Sequence, residues 1–409
     1  MLNWVNRFSI FSFLDNQQYA FSKPAFECLL AAGSQKTIRA NAGAAFEHLQ
    51  SFNNETKGEW LFGHFGYDLK NETESLNSQH ADRIGFSDIY FFVPQWVIKL
   101  DGEEVKIYGD GDHESVYEEI LQCSSLIKEG RLGKINISHR INRKDYLEII
   151  EQLRRHILRG DCYEINFCQD FFSENTEIDP LSVYSRLAEL SPNPFSVFYR
   201  TENSYCLCAS PERYLKKTGN RIFSQPIKGT SKRDHEDSKA DEAAKKYLLQ
   251  SSKEKSENVM VVDLVRNDLS RVCKPGSVKV DELFGLYSFP QVHQMISTVS
   301  GEISDGVNWI DCIRATFPMG SMTGAPKKRV MELIEQYEHS RRGLFSGAIG
   351  YIDPGGDFDF NVVIRSIFYN ETEKYLSFQT GGGITYYSNP ANEYAESLLK
   401  AEAMMSLFK

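Results

Sequence analysis

Apolar positions along the chain fall into two spacings, and each spacing marks a kind of element. Short apolar runs bounded by turn formers predict strands at 60–69 and 89–94. Trp96-Val97-Ile98-Lys99-Leu100 and Val105-Lys106-Ile107-Tyr108 read as a hairpin around Asp101-Gly102. Helical spacing covers His113–Glu129 through Val116, Ile120, Leu121 and Leu126. It is clearest over Asn142–Leu158, where Asn142 can cap, Asp145 sits near the positive end, and Tyr146, Ile149, Ile150, Leu153 and Ile157 form one stripe. Gly160 closes that helix. Farther on, helices are expected at 183–190, 234–250, 254–264, 309–317, 326–337 and 392–407, with strands at 195–199, 205–208, 347–351, 360–369 and 375–379. The two kinds do not alternate regularly, so the class is α+β with mainly antiparallel sheet. A polar stretch at 130–142 marks a junction between a strand-rich N-terminal subdomain, 1–130, and a region spanning 142–407.

Composition narrows the function classes. With 41% apolar and 25% charged residues the 409-residue chain has the balance of a soluble globular protein. A net charge of −10 argues against nucleic-acid binding, which needs clustered Lys and Arg, but leaves room for an anionic small substrate at a locally positive site. The eight cysteines lack paired metal spacing, and Cys206 and Cys208 alternate on one strand face as buried thiols do. That usage fits a reducing compartment. Neither a signal peptide nor a membrane span is visible, so a cytoplasmic location is expected.

Several stretches carry chemistry. Lys228 stands between Pro226 and Gly229, after an apolar run, so the backbone presents it at a defined place. It is either a solvated surface lysine or a desolvated amine nucleophile or base. Glu254 and Glu257 lie three apart on one expected helix, and Glu393 and Glu396 three apart on another, so each pair shares a face. These are either two solvated faces, balanced by Lys253 and Lys255, or four convergent carboxylates suited to Mg²⁺. Asp263, Arg266, Asn267, Asp268 and Arg271 either pin a helix end or line a pocket, and the first of these is favoured for Asp263 and Asp268. In Gly320 to Lys327, small residues and hydroxyls enter a helix whose start attracts a carboxylate or phosphate. Gly381, Gly382 and Gly383 follow a strand as a close-approach surface or a flexible turn. Arg365 sits inside an apolar run and wants a carboxylate, from the protein or from a substrate. Glu212 is either a strand-end partner of Arg213 or a pocket acid.

Taken in order, these stretches resemble the chorismate-utilising enzymes, the family of anthranilate, aminodeoxychorismate, isochorismate and salicylate synthases. The resemblance rests on Gly160-Asp161-Cys162-Tyr163-Glu164-Ile165-Asn166, Ser210-Pro211-Glu212-Arg213, Pro226-Ile227-Lys228-Gly229-Thr230, the run Glu257 to Leu269, Gly320 to Lys327, Ile364-Arg365-Ser366 and the terminal glycine and glutamate blocks. Within the family, Lys228 and the wording of 320–323 are similar to the aminodeoxychorismate synthases; anthranilate synthases have alanine where Lys228 stands. The water-activating lysine of isochorismate and salicylate synthases is absent, its position being Glu164.

The resemblance implies an anthranilate synthase component I-like fold, two largely antiparallel sheets packed as a sandwich with helices outside and the N- and C-terminal parts interleaved. It implies amination of chorismate at ring carbon four to 4-amino-4-deoxychorismate, on the way to p-aminobenzoate and folate, with ammonia from a separate glutaminase subunit. Glu257 and Glu396 would hold Mg²⁺, with Glu254 and Glu393 mainly orienting water. Arg365 and the amides of Gly381, Gly382 and Gly383 would fix the carboxylates, and Thr230, Ser321, Thr323 and Lys327 fall on the substrate-binding side. Lys228 would add to ring carbon two, with Glu212 as general acid for the departing hydroxyl. That addition needs a neutral amine, so burial and neighbouring charge are expected to lower the Lys228 pKa. Two departures stand out. Gln294 replaces a family histidine, with His293 beside it, and Phe345 replaces a substrate-contacting tyrosine of anthranilate synthases. Two alternatives stay open: anthranilate synthase component I, and a non-catalytic chorismate-binding homologue.

Overall fold

Residues 1–19, 26–102, 104–123, 133–290 and 292–409 are described by the computed structural model. Their apolar runs become two antiparallel sheets, one eleven-stranded and one ten-stranded among the described residues. The first sheet runs in the order Gly324–Ala325, Glu164–Ser173, Tyr375–Ile384, Ser366–Asn370, Ser204–Ser210, Phe195–Thr201, Ile10–Asp15, Cys28–Ala32, Trp96–Asp101 and Glu104–Gly109, with Ser138–His139 beside Glu164–Ser173. The second runs Ile227–Lys232, Val292–Glu302, Arg221–Gln225, Arg213–Thr218, Phe358–Asn361, Ala348–Ile352, Leu61–Phe65, Ile89–Val93 and Lys36–Ala40, with Lys279–Ser288 paired to Val292–Glu302. Strands from before residue 110 thus lie in both sheets.

One core joins early and late residues: Phe62, Phe65 and Phe91 pack in the same cluster as Val261, Phe317 and Phe360. Each such side chain, fully buried, contributes on the order of 1.5–3 kcal/mol. Cys206 and Cys208 are buried free thiols on strand Ser204–Ser210, as their alternation predicts. Among the described residues no helix is long and apolar enough to cross a membrane.

The expected helices are present with shifted ends. Arg143–Leu158 starts at its Asn142 cap, whose side chain accepts from the Asp145 amide, and buries Tyr146, Ile149, Ile150 and Leu153. The helix expected from 113 is observed as His113–Gln122, and its remainder from 124 lies outside the described residues. The helix expected to end at 264 continues as Ser252–Ser270, because Val261, Val262, Val265 and Leu269 keep its stripe buried. Its charged end is pinned internally, by Arg266 to Asp263 at 2.8 Å and by Lys327 to Asp268 at 2.7 Å.

Three local expectations change. The glycines after residue 380 are no turn: strand Tyr375–Ile384 carries straight through them, pairing Gly381 with Cys168, Gly382 with Phe167 and Gly383 with Asn166. The single strand expected over 360–369 is two, Phe358–Asn361 and Ser366–Asn370, with Arg365 between them at φ +51°. The small-residue run at 320–325 does not enter the helix directly. Gly320–Met322 is a 3-10 turn, and Gly324–Ala325 pairs with Glu164 and Ile165 before helix Lys327–Tyr337 begins. Gly324 is required there: its φ is +142°, and a Cβ would lie 2.1 Å from the Glu164 carbonyl oxygen.

Candidate active site

Lys228 lies on strand Ile227–Lys232, at the edge of the second sheet, where a bulge interrupts pairing between Ile227 and Thr230. Its side chain is 11% exposed, and Nζ donates to Glu164 Oε1 at 2.8 Å. Glu164 comes from the first sheet, so the pair bridges the two sheets. The pair rests against Gly383, where a Cβ would sit 2.6 Å from Glu164 Oε1 and 3.0 Å from Lys228 Nζ. A side chain at 383 would separate them.

Burial alone would lower the Lys228 pKa, but Glu164, Glu257 and Glu212 outweigh it and the pKa is raised. This reverses the expected direction. The surrounding carboxylates stabilise the ammonium by more than desolvation destabilises it. Glu212 is 4% exposed, and burial pushes its carboxyl up to about 7 against the Ser321 hydrogen bond and the Lys228 charge. It is a buried acid and not the partner of Arg213, which pairs with Asp359 at 2.9 Å. Arg365 is partly buried and makes no ion pair among the described residues. Burial lowers its pKa, opposed by Tyr19 and Glu212.

The acidic pairs face each other from helices Ser252–Ser270 and Pro390–Ser406. Lys253 Nζ lies 3.8 Å from Glu257 Oε1 and 3.7 Å from Glu393 Oε1, so one ammonium bridges the two helices. Burial raises the pKa of Glu254, Glu257 and Glu393, to about 7 for Glu257, and Glu396 adds to the rise for Glu254 and Glu393. Glu396 is held low by Lys400 at 2.8 Å. Gly382 faces this cluster, with Glu396, Glu393 and Lys400 3.5–3.7 Å from where its Cβ would be. The donors suit Mg²⁺: all are carboxylate oxygens, Glu257 Oε1 is buried without a hydrogen bond, and a cationic group already stands between Glu257 and Glu393. Among the described residues no three acidic, His or Cys side chains are close enough to enclose an ion alone. Mg²⁺ asks for less, since it keeps several waters and shares substrate oxygens.

Other candidates sort unevenly. Ser321 lies beside Glu212, and Thr230 is exposed on the lysine's strand. Thr323 is fully buried and donates to Met319 O at 3.2 Å, and Lys327 is taken by Asp268 and the Thr316 carbonyl. Both are engaged by the fold around the site. His293 is also occupied, between Ser288 Oγ at 2.8 Å and Asp241 Oδ1 at 2.9 Å. Gln294, opposite Thr230, keeps a buried Oε1 without a partner. Phe345 is buried in the core.

Sequence reasoning gave Glu164 no role. A signal was available: Glu164, Asn166, Cys168 and Asp170 alternate with Ile165, Phe167, Gln169 and Phe171 along a ten-residue strand whose two faces are both largely buried. A polar stripe inside a buried strand needs partners, and here they include Lys228, Ser321 and Arg140.

Two packed antiparallel sheets meeting at this lysine and its carboxylates form the fold of anthranilate synthase component I. The crystal structure of that protein from Streptococcus pneumoniae matches with a TM-score of 0.80 at 26% identity, covering 95% of this chain and 94% of its own. The chorismate binding enzyme family matches residues 9–406, and this chain belongs to it. Aminodeoxychorismate synthase component 1 of Salmonella typhimurium is 36% identical over 346 residues, 84% of this chain and 75% of its own length. The Bacillus subtilis protein of the same name is 32% identical over 359 residues, 84% and 75% of the two lengths.

Proposed function

We propose that this enzyme aminates chorismate at ring carbon four, giving 4-amino-4-deoxychorismate for p-aminobenzoate and folate synthesis. The observation that carries the reading is Lys228, nearly buried and 2.8 Å from Glu164, with the protonatable Glu212 among the carboxylates whose charge it feels. Lys228 adds to ring carbon two while Glu212 gives its proton to the departing hydroxyl. Ammonia then attacks carbon four and releases the lysine. Arg365, without an ion pair among the described residues, and the strand amides of Gly381 and Gly383 take the carboxylates, the Gly382 amide being engaged in its pairing with Phe167.

Glu257 and Glu396 hold Mg²⁺ in this reading, with Glu254 and Glu393 beside them. Bound there, the ion supplies positive charge for the substrate's ring carboxylate. The component 1 numbering of the two relatives fits a second subunit, and a glutaminase would supply the ammonia. The eight free thiols fit a cytoplasmic setting.

The test supplies chorismate, Mg²⁺ and ammonium and identifies the product. 4-Amino-4-deoxychorismate is expected; anthranilate or isochorismate as main product overturns the reading. Lys228→Ala is expected to lose most turnover, and near-normal turnover removes the covalent role.

A further inference from the structure

The amine that attacks must be neutral, yet the site as it stands stabilises the ammonium. Within 4.0 Å of Lys228 Nζ, the acidic side chain among the described residues is Glu164, at 2.8 Å. Its geometry is specific. Oε1 takes the lysine, and Oε2 is buried without any hydrogen-bond partner. Gly383 leaves out the side chain that would part the two groups, and Gly324 lets its strand close onto the Glu164 backbone. Two glycines thus make room for one carboxylate. A residue needed only to neutralise a buried lysine has no reason to keep a second, unpaired acceptor oxygen, since such an atom costs about 1–3 kcal/mol.

We infer that Glu164 is the proton acceptor of Lys228, a catalytic base that frees the amine before attack and recharges it at release. The inference rests on the amination reading above. Its steps balance. The Nζ–H bond breaks and an Oε1–H bond forms, giving a neutral amine and a neutral Glu164 carboxyl. Nζ then bonds to ring carbon two while the carbon four hydroxyl leaves as water with the Glu212 proton. Ammonium enters, its proton restores Glu212, and ammonia bonds to carbon four as the bond from Nζ to carbon two breaks. Nζ takes its proton back from Glu164. The sum is chorismate plus ammonium to the aminated product plus water.

The charge balance around Nζ agrees with this role. The carboxylates that hold the ammonium are Glu164, Glu257 and Glu212, and its charge is felt by Glu254, Glu396 and Cys168 as well. Of these, Glu164 alone is hydrogen-bonded to Nζ. An acceptor must be in hydrogen-bond reach of the proton it takes.

The experiment uses Glu164→Gln, which keeps the shape and loses the basic oxygen, and Glu164→Asp, which keeps a carboxylate. Cyanate, a small reagent that modifies neutral amines, is applied to each full-length protein without chorismate, and carbamylation of Lys228 is read by peptide mass spectrometry at pH near 8. Removing the adjacent charge is expected to speed Lys228 modification at least about tenfold in Glu164→Gln. In the product assay the same variant is expected to lose about 10²–10⁴-fold in kcat with little change in KM for chorismate, and Glu164→Asp to retain part of the rate. Equal carbamylation in wild type and Glu164→Gln overturns the inference. So does faster carbamylation with wild-type turnover, because the amine would then be freed without the carboxylate. The cyanate arm needs no chorismate, so a wild type that forms no aminated product overturns the amination reading separately from the Lys228–Glu164 pairing.

Discussion

Arg342 offers the sharpest stability prediction. It is 4% exposed and sits behind the active site, where it stacks over Tyr67 at 4.5 Å. Its guanidinium donates to Glu338 Oε2 at 2.9 Å and Oε1 at 2.6 Å, to Met322 O at 2.7 Å, to Asn166 O at 2.9 Å and to Ser346 Oγ at 3.3 Å. These bonds tie the Glu164 strand to the segment carrying Ser321. Arg342→Met keeps the apolar stem but leaves Glu338, itself 3% exposed, as a lone buried carboxylate beside emptied acceptors. Breaking a buried pair in this way costs about 3–5 kcal/mol. Adding Glu338→Leu removes the lone charge but strands the Cys168 N–H, which Glu338 Oε1 accepts at 2.8 Å. An unpaired buried N–H costs about 1–3 kcal/mol, less than the charge it replaces, so the double variant is expected to be no less stable than Arg342→Met. Equilibrium urea unfolding of wild type, both single variants and the double variant measures this. A deficit below about 1 kcal/mol for Arg342→Met refutes the reasoning, and so do strictly additive losses.

Three further predictions follow from the same chemistry. Burial pushes the Asp170 carboxyl up to about 7, with Arg140 opposing. The folded state therefore holds a proton that the unfolded state releases, and the stability it brings is present below about pH 4 and lost as pH rises through about 7. Asp170→Asn should gain on wild type toward pH 8 in thermal melts, and parallel pH curves exclude this. In the proposed mechanism Glu212 is the general acid, and burial pushes its carboxyl up to about 7, so kcat should fall above that pH. Glu212→Gln should lower kcat about 10²–10⁴-fold and erase that limb; a limb that survives in the variant assigns it elsewhere. Glu257→Gln and Glu396→Gln should each raise the Mg²⁺ needed for half-maximal turnover and weaken Mg²⁺ binding in calorimetry, and full activity in excess chelator rules the ion out.

Much of the fold was legible because local pattern agreed with long-range packing. Asn142 and its stripe marked a helix start and a buried face, and the Asp-Gly hairpin needed nothing from afar. Errors came where a distant partner decided the outcome. The strand expected to stop at 379 runs on through three glycines, because strand Glu164–Ser173, more than two hundred residues earlier, pairs with them and extends the sheet. Ser252–Ser270 outran its expected end because Lys327 neutralises Asp268 and Leu269 is fully buried.

The site shows the same division at closer range. Residue types announced lysine, acids and arginine, but the sign of the lysine's perturbation depends on which charges the fold brings near it. Burial favours the free amine, whereas carboxylates favour the ammonium, and here Glu164, Glu257 and Glu212 prevail. Each tenfold preference for the ammonium adds about 1.4 kcal/mol to a reaction that starts from the amine. A site selected only for a reactive lysine would have kept carboxylates away. One that places Glu164 in hydrogen-bond contact and clears two glycines around it keeps the amine charged at rest and puts the proton's destination 2.8 Å away.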